Sequence, residues 1–305
     1  MSRIHEALQK ARNQQSEAGP DLPDTAEIIE AGTSFIPQAP AADPLADVEP
    51  LELLRRSTGD PQHLLAQCPK SDWKSNAERL VFLGEDTHGS GQEQFRTLRS
   101  RLYQIRGNND GFNVLVVCSA IPGEGKSFVS CNLAHAFAVQ SGRRVLVIDA
   151  DLRRPQGSTL LLGAAKTPGL TDYLSGDVPL SAVLQTGPIE NLYLIPCGTQ
   201  VSNPGELISH NKFAKLIEQL RPVFDWIVID TPPVLPIADA RVVADCADGV
   251  LLVVNAQSTH ANLAKRAANE FAPKHILGVV LNKTQDVTAH YYSSYGYDKQ
   301  TAAAS

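Results

Sequence analysis

The sequence contains no long hydrophobic run. Among its 305 residues, no apolar stretch approaches the ~18 residues that a membrane-spanning helix requires, and the opening MSRIHEALQK lacks the apolar core of a signal peptide. We therefore expect a cytoplasmic protein that has no membrane span of its own, so that any role at the membrane needs a partner.

An excess of basic residues is also absent. The chain has 27 Lys and Arg against 33 Asp and Glu, which gives a formal net charge of −6. Proteins that bind nucleic acids in general usually carry a basic stripe. The balance of charge therefore predicts no nucleic-acid partner.

The cysteines and histidines form no recognisable site. The five cysteines are scattered, odd in number and free of CxxC pairs, which is typical of reduced, buried thiols in a cytosolic protein. The eight histidines have no metal-ligand spacing, and no Ser-His-Asp arrangement is recognisable. These patterns disfavour a thiolate or imidazole metal centre and a serine hydrolase.

The first part of the chain has little globular character. Residues 1–15 have the apolar spacing of a short helix, whereas residues 16–91 are rich in Pro, Ala, Asp and Glu. We interpret residues 16–91 as a largely disordered linker, with at most short helices near 45–56 and 61–67. The N-terminal helix either docks on a partner or folds back on the domain.

The globular domain is expected over residues 92–286. Apolar, β-rich runs there alternate with helical segments, which is typical of a mostly parallel, doubly wound α/β sheet covered on both faces. The six predicted strands are 113–118, 144–149, 192–196, 226–230, 249–255 and 276–282. Residues 287–305 then form a polar, flexible tail.

A phosphate-binding loop follows the first predicted strand. In PGEGKS, Gly123 and Gly125 allow a tight turn that points N–H groups at phosphate oxygens, Lys126 bridges phosphates and Ser127 binds Mg²⁺. The usual first glycine is Ala120 instead. The predicted ATP-binding residues are Ile121, Pro122, Gly123, Glu124, Gly125, Lys126, Ser127, Phe128 and Asn282. Asn282 either contacts the adenine or simply ends the last strand.

Three aspartates stand at the ends of predicted strands. Asp149 and Asp151 follow the second strand in VLVIDADLRRP, and Asp230 ends another in WIVID. Parallel strands bring these ends to the edge that holds the loop, where carboxylates bind Mg²⁺ or move protons. The predicted metal ligands are Ser127, Asp149, Asp151 and Asp230, although Asp149 alternatively braces the loop. The predicted catalytic residues are Lys126, Asp149, Asp151 and Asp230.

The tail supplies the predicted phosphate acceptors. Four of the seven tyrosines, Tyr291, Tyr292, Tyr295 and Tyr297, lie in HYYSSYGYD close after the last strand, without an apolar run to pack against. Asp151 is placed to accept a phenolic proton. Either Arg153 or Arg154 adds charge stabilisation, or both are ordinary surface residues.

These motifs resemble the three Walker-type motifs of bacterial tyrosine kinases, a family of capsule and exopolysaccharide synthesis. The resemblance covers about 92–298 and includes EQFRTLR, which is similar to the family's ExxRxxR helix. The opening MSRIHEALQKA is similar to members encoded with exosortase-type systems. The fold that the resemblance implies is a P-loop NTPase domain of the MinD-like class.

The resemblance further implies autophosphorylation of the tyrosine cluster with ATP and Mg²⁺. It implies a ring-like homo-oligomer with Glu93, Arg96 and Arg99 in subunit contacts, and a separate membrane chain-length regulator as activator. Two other classes compete. A MinD/ParA-like ATPase switch normally has a signature lysine where this chain has Ile121, and an ATP-binding scaffold would use the tyrosines only for adhesion.

Overall fold

The computed structural model describes residues 61–75, 79–83, 90–109, 111–140, 142–153, 157–209, 211–271 and 276–284. The predicted N-terminal helix, the linker up to residue 60 with its helix near 45–56, and the tyrosine tail lie outside these residues.

One seven-stranded sheet forms the centre of the domain, in the order β3–β4–β2–β5–β1–β6–β7. All neighbouring strands are parallel except β3 and β4, which are antiparallel. The strands are β1 (Val114–Ser119), β2 (Val145–Asp149), β3 (Gln185–Thr186), β4 (Leu192–Ile195), β5 (Trp226–Asp230), β6 (Gly249–Asn255) and β7 (Ile276–Asn282). The predicted doubly wound fold is confirmed, and of the seven strands in the described residues only the two-residue β3 was not predicted from the sequence.

Helices cover both faces of the sheet. They are α1 (Pro61–Ala66), α2 (Ser90–Arg106), α3 (Lys126–Ala138), α4 (Ser158–Leu162), α5 (Leu170–Ser175), α6 (Leu180–Val183), α7 (Pro204–Ser209), α8 (Asn211–Leu220), α9 (Asp239–Ala244) and α10 (Ala261–Asn269). Successive side chains of β1 point to opposite faces of the sheet and pack in two separate hydrophobic cores. Val116 packs in the core that contains α8, whereas Val117 packs in the core that contains α2 and α3. The strands β1, β2, β5 and β6 are thus buried on both sides, which explains their nearly continuous apolar sequences. The edge strand β7 differs, because Val279 and Leu281 are more than half exposed.

The strand order places the candidate site. From the carboxyl end of β1 the chain crosses to β2 on one side, whereas from the neighbouring β5 it crosses to β6 on the other side, so the connections diverge between β1 and β5. Ligands bind at such switch points in open α/β sheets. Asp149 of β2 pairs in register with Asp230 of β5, so these two carboxylates stand beside each other at that edge.

The packed domain begins upstream of the predicted boundary at residue 92. A segment that we name the N-terminal strap, residues 68–75 and 79–83, lies on the domain and buries Trp73 (4% exposed) and Leu80 (0% exposed). Lys70 bridges to Thr186 of β3. The predicted short helix near 61–67 is observed as α1. The linker interpretation is therefore corrected for the strap, because single apolar residues in a polar segment give no periodic signal before their partners are known.

Candidate active site

The loop between β1 and α3 has the conformation that phosphate binding requires. Gly123 (φ 85°) and Gly125 (φ 96°) both adopt the left-handed region, which other residues enter only with strain. A Cβ atom added to Gly125 would collide with the Asn282 side chain. Glycine at this position is thus required by both the backbone and the close approach of β7.

Glu124 holds the loop against β6. Its carboxylate is 1% exposed and accepts hydrogen bonds from Ile121 N (2.7 Å), Asn255 N (3.2 Å) and Thr259 Oγ1 (2.6 Å). The side chain therefore points into the protein, and only the main chain of Glu124 stays a candidate for nucleotide contact. This bracing role leaves no signal in the sequence, because the three partners of Glu124 lie elsewhere in the chain or contribute only a main-chain N–H.

The end of β7 supports the loop from the other side. Asn282 Nδ2 donates to Glu124 O (2.9 Å), and Lys283 Nζ donates to Gly123 O (2.8 Å). Asn282 therefore does more than end β7, because its side chain holds the phosphate-binding loop. Its predicted contact with adenine stays a prediction.

Lys126 and Asp151 form a partly buried ion pair inside the site. Lys126 Nζ lies 2.9 Å from Asp151 Oδ2, with the two side chains 13% and 7% exposed. Burial alone would lower the pKa of Lys126, but the negative charges of Asp230 and Asp151 outweigh it and raise the pKa above its usual value. Lys126 is thus held as a cation at the position where phosphate would lie.

Asp149 and Asp230 are fully buried, and each has one satisfied oxygen. Asp149 Oδ2 accepts from Thr159 N (2.9 Å) and Thr159 Oγ1 (2.5 Å), and Asp230 Oδ2 accepts from Ser158 Oγ (2.8 Å). The Oδ1 atom of each carboxylate has no hydrogen-bond partner. Burial, reinforced by the charge of Asp230, raises the pKa of Asp149 to about 7, and burial also raises the pKa of Asp230.

The predicted metal ligands do not form a complete cage. Within the described ranges, no group of three or more His, Cys, Asp or Glu side chains is arranged to hold a metal ion. Asp151 pairs with Lys126 instead of joining the other two carboxylates. However, the unpartnered Oδ1 atoms of Asp149 and Asp230 fit Mg²⁺, which usually takes one or two protein carboxylates and completes its shell with phosphate and water.

Two cavities flank the loop and share Gly123, Lys126 and Ser127. One, of about 560 Å³, extends past Asp151 towards Arg153 and Pro236. We name it the acceptor-side cavity. The other, of about 530 Å³, extends past Phe128 towards Asn282 and Arg79, and we name it the β7-side cavity. The loop thus lies between two openings that share three of its residues.

Arg153 is oriented by Asp239. Arg153 Nε and Nη2 donate to the two carboxylate oxygens of Asp239 at 2.8 and 3.1 Å, and Asp239 is only 6% exposed. The hydrogen bond to Asp239 is the main reason that the pKa of Arg153 is raised further. Arg153 therefore lines the acceptor-side cavity as a fixed cation, whereas Arg154 lies outside the described residues.

The ExxRxxR residues on α2 have partners within this chain. Arg96 Nη1 lies 3.4 Å from Glu93 Oε2, and Arg99 Nη1 donates to Ala136 O (2.6 Å). Arg99 therefore links α2 to the carboxyl end of α3. The predicted subunit contacts stay a prediction. The four tail tyrosines lie outside the described residues.

Comparison with known proteins agrees with this arrangement. A family model described as an AAA domain matches residues 113–266. The chain is 34% identical over 209 residues to the tyrosine-protein kinase CpsD of Streptococcus agalactiae, a match that covers 67% of this chain and 90% of that protein. The chain belongs to the bacterial tyrosine-protein kinases.

Other members extend the match. The tyrosine-protein kinase YwqD of Bacillus subtilis is 32% identical, over 73% of this chain and 92% of that protein. The kinase domain of Escherichia coli ETK has a TM-score of 0.62 at 32% identity, over 66% of this chain and 78% of that one. The chimerical protein CapA2B2 has a TM-score of 0.63 at 27% identity, over 74% of this chain and 99% of that one.

Membership in this kinase family confirms the resemblance deduced from the three motifs, together with the P-loop fold and the tyrosine-kinase class. It favours the kinase over a MinD/ParA-like switch. Within the part of the chain that the structure describes, no helix is both long and apolar enough to cross a bilayer.

Proposed function

We propose that this kinase transfers the γ-phosphoryl group of ATP to the tyrosines of its own tail, and so regulates capsule or exopolysaccharide synthesis. The observation that carries the proposal is the Lys126–Asp151 ion pair inside a phosphate-binding loop, beside two buried carboxylates that each keep one free oxygen. A loop of this kind needs an acceptor, and a hydroxyl-rich tail begins soon after β7.

Lys126 exchanges one partner for another during binding. Its ammonium group contacts Asp151 at 2.9 Å. A bound triphosphate draws the same cation to its β- and γ-phosphates, where it offsets the charge that develops in transfer. That exchange moves the Lys126 ammonium group away from Asp151, which accepts the proton of an incoming tyrosine.

Mg²⁺ is the metal that this site fits, and bound there it neutralises phosphate charge. Ser127, Asp149 and Asp230 would hold it, with the two unpartnered Oδ1 atoms as the available carboxylate oxygens. Ser158 and Thr159 fix the opposite oxygen of each carboxylate, so the free oxygens keep their direction.

The acceptor enters from the side of Arg153. The acceptor-side cavity joins Asp151 to Arg153, and its walls include Pro233 and Pro236, which offer apolar surface to a phenol ring. Arg153 is held by Asp239 and places positive charge beside the reacting group. The nucleoside then extends into the β7-side cavity towards Asn282.

The tail is tethered within reach of this site. Tyr291 follows Asn282 by nine residues, so the connecting chain spans at most roughly 30 Å. Tethering gives a high effective concentration at the site of the same subunit or a neighbouring one. Each phosphorylated tyrosine adds about −1.5 to −2 charges, which repel one another and the acidic site.

The remaining elements of the proposal concern assembly. Glu93, Arg96 and Arg99 form subunit contacts in a ring that comes apart as the tails are phosphorylated. A separate membrane protein of the polysaccharide chain-length-regulator type activates the kinase and recruits it to the membrane. One similar structure is of a chimerical protein, CapA2B2, which supports a kinase that works joined to a second protein.

Mass spectrometry after incubation with Mg-ATP tests the proposed reaction. Phosphate should appear on Tyr291, Tyr292, Tyr295 or Tyr297 and should be lost in Lys126→Ala. The three domain tyrosines Tyr103, Tyr173 and Tyr193 serve as internal controls, since all three are at least partly buried. Phosphate release without phosphotyrosine would instead identify an ATPase. An unchanged particle mass after ATP treatment would refute the dissociating ring.

A further inference from the structure

The N-terminal strap reaches the candidate nucleotide site. Arg79 lines the β7-side cavity together with residues of the phosphate-binding loop, Phe128 and Asn282. It belongs to a segment that precedes α2 and carries none of the three family motifs. A cation is therefore brought to the site from outside the motifs that define the kinase.

The strap is fixed at this point by one buried amide. Asn132, on α3, is 0% exposed, and its Nδ2 donates to Arg79 O (3.0 Å) and to Phe128 O (2.9 Å). Its Oδ1 accepts from Val81 N (2.8 Å). Leu80, between the two anchored residues, is completely buried. The main chain of Arg79 is thus attached to the same helix that begins with Lys126.

The charge of Arg79 suits an anion. Its side chain is exposed to the cavity, and within the described ranges no ion pair joins it to a carboxylate. The guanidinium group recognises phosphate through two parallel hydrogen bonds and stays charged at any ordinary pH. Because Lys126 serves the outer phosphates, a cation beyond Ser127 towards Asn282 faces the phosphate next to the nucleoside.

We propose that Arg79 binds the α-phosphate of the nucleotide, and that Asn132 is the positioning residue that holds it there. This inference rests on the proposed function only for the identity of the nucleotide. Binding then connects the nucleotide to the strap, so that occupancy of the site stabilises residues 79–83.

Titration calorimetry of the full chain with ATP and with ADP tests the contact. Arg79→Ala should weaken binding of both nucleotides about ten- to a hundredfold, the usual range for a hydrogen bond to a charged group, because both contain the α-phosphate. Arg79→Lys should lose only part of the affinity. Lys74→Ala, an exposed basic residue of the same strap, is the matched control and should bind both nucleotides like the wild type.

The outcomes separate this inference from the proposed function. Failure of the folded wild type to bind either nucleotide would overturn both. Normal wild-type binding with Arg79→Ala within about twofold would overturn the inference alone, and weakening of ATP but not ADP would overturn the assignment to the α-phosphate.

Hydrogen exchange gives a readout of the positioning role. Nucleotide should slow exchange of the amides of residues 79–83 in the wild type but not in Arg79→Ala. Asn132→Ala should weaken both nucleotides, and its effect should not add to that of Arg79→Ala, since both changes remove one contact. Two results together would contradict a tethered Arg79: the affinity losses of Arg79→Ala and Asn132→Ala add fully, and nucleotide slows hydrogen exchange of the strap equally in the wild type and Arg79→Ala.

Discussion

The buried carboxylate of Glu124 offers the sharpest test of how the site is built. Sequence analysis treated it as one residue of a nucleotide-binding loop, whereas the structure makes its side chain an acceptor for three donors inside the protein. The two interpretations predict different behaviour for Glu124→Ala. Loss of a side chain that contacts the nucleotide lowers the nucleotide affinity alone. Loss of a side chain that holds the loop in place lowers the free energy of unfolding as well.

The magnitude follows from the three hydrogen bonds. Glu124→Ala leaves the N–H groups of Ile121 and Asn255 and the hydroxyl of Thr259 without their acceptor. An unsatisfied buried donor costs about 1–3 kcal/mol, and the lower end applies here because the three partner residues are only half-buried. We expect a loss of about 3 kcal/mol in the free energy of unfolding. A domain of this size should then melt about 6–12 °C lower.

Urea denaturation and calorimetry of nucleotide binding provide the assay. Thr259→Val removes only the 2.6 Å hydrogen bond and should lose about 1 kcal/mol. Glu190→Gln, on the exposed surface, should stay within about 0.5 kcal/mol of the wild type. Since the loop loses its attachment to β6 in Glu124→Ala, ADP should also bind at least about tenfold more weakly.

Two results would refute the bracing role of Glu124. If Glu124→Ala unfolds at the same urea concentration as the wild type and yet binds no nucleotide, then Glu124 contacts the nucleotide directly. Unchanged stability together with unchanged binding would show that water replaces the carboxylate without cost.

Three further predictions concern the same site. Without Mg²⁺, the wild type should lose up to about 4 kcal/mol of stability relative to Asp149→Asn as the pH rises from 3.8 to about 7. The reason is that a carboxyl group whose pKa is raised in the folded state favours folding only while it is protonated. Urea denaturation of both proteins across this pH range tests it, and an equal pH dependence of their stabilities would contradict the prediction. Gly125→Ala should abolish ADP binding in calorimetry, whereas Gly142→Ala, equally strained (φ 73°) but with open space at its Cβ, should not. Asp239→Asn should slow tyrosine phosphorylation at least about tenfold at unchanged nucleotide affinity, because Arg153 is then no longer oriented to stabilise the charge of the transferred group. Glu270→Gln, in an exposed pair with Arg241, should leave the rate unchanged. Equal rates for Asp239→Asn and the wild type would exclude a role for an oriented Arg153.

The predictable part of this protein is local in the chain. Strands such as β1 and β5 are buried on both faces and therefore appear as continuous apolar runs, and the loop from Gly123 to Ser127 follows its strand directly. Asp149 and Asp230 were assigned to one edge because parallel strands end together. In each case the residues that define the feature are neighbours in sequence, or their relation follows from strand direction alone.

Other features depended on contacts that a sequence does not display. The strap was predicted to be part of a linker, because Trp73 and Leu80 are isolated apolar residues whose burial depends on contacts with distant parts of the chain. Asp151 was grouped with the metal ligands, but the fold turns it to Lys126. The end of a strand fixes the backbone position of an aspartate, whereas the direction of its side chain depends on the nearest cation.

The sequence by itself determined the fold class, the kinase family and the edge at which the chemistry is placed, because apolar periodicity and contiguous motifs encode them. Only the tertiary structure decided which oxygen atoms are free, that Glu124 braces the loop, and that Arg79 joins the site. Those properties depend on pairs such as Glu124 with Asn255 and Arg79 with Asn132. Folding brings such distant residues within hydrogen-bonding distance, and no local pattern records their approach.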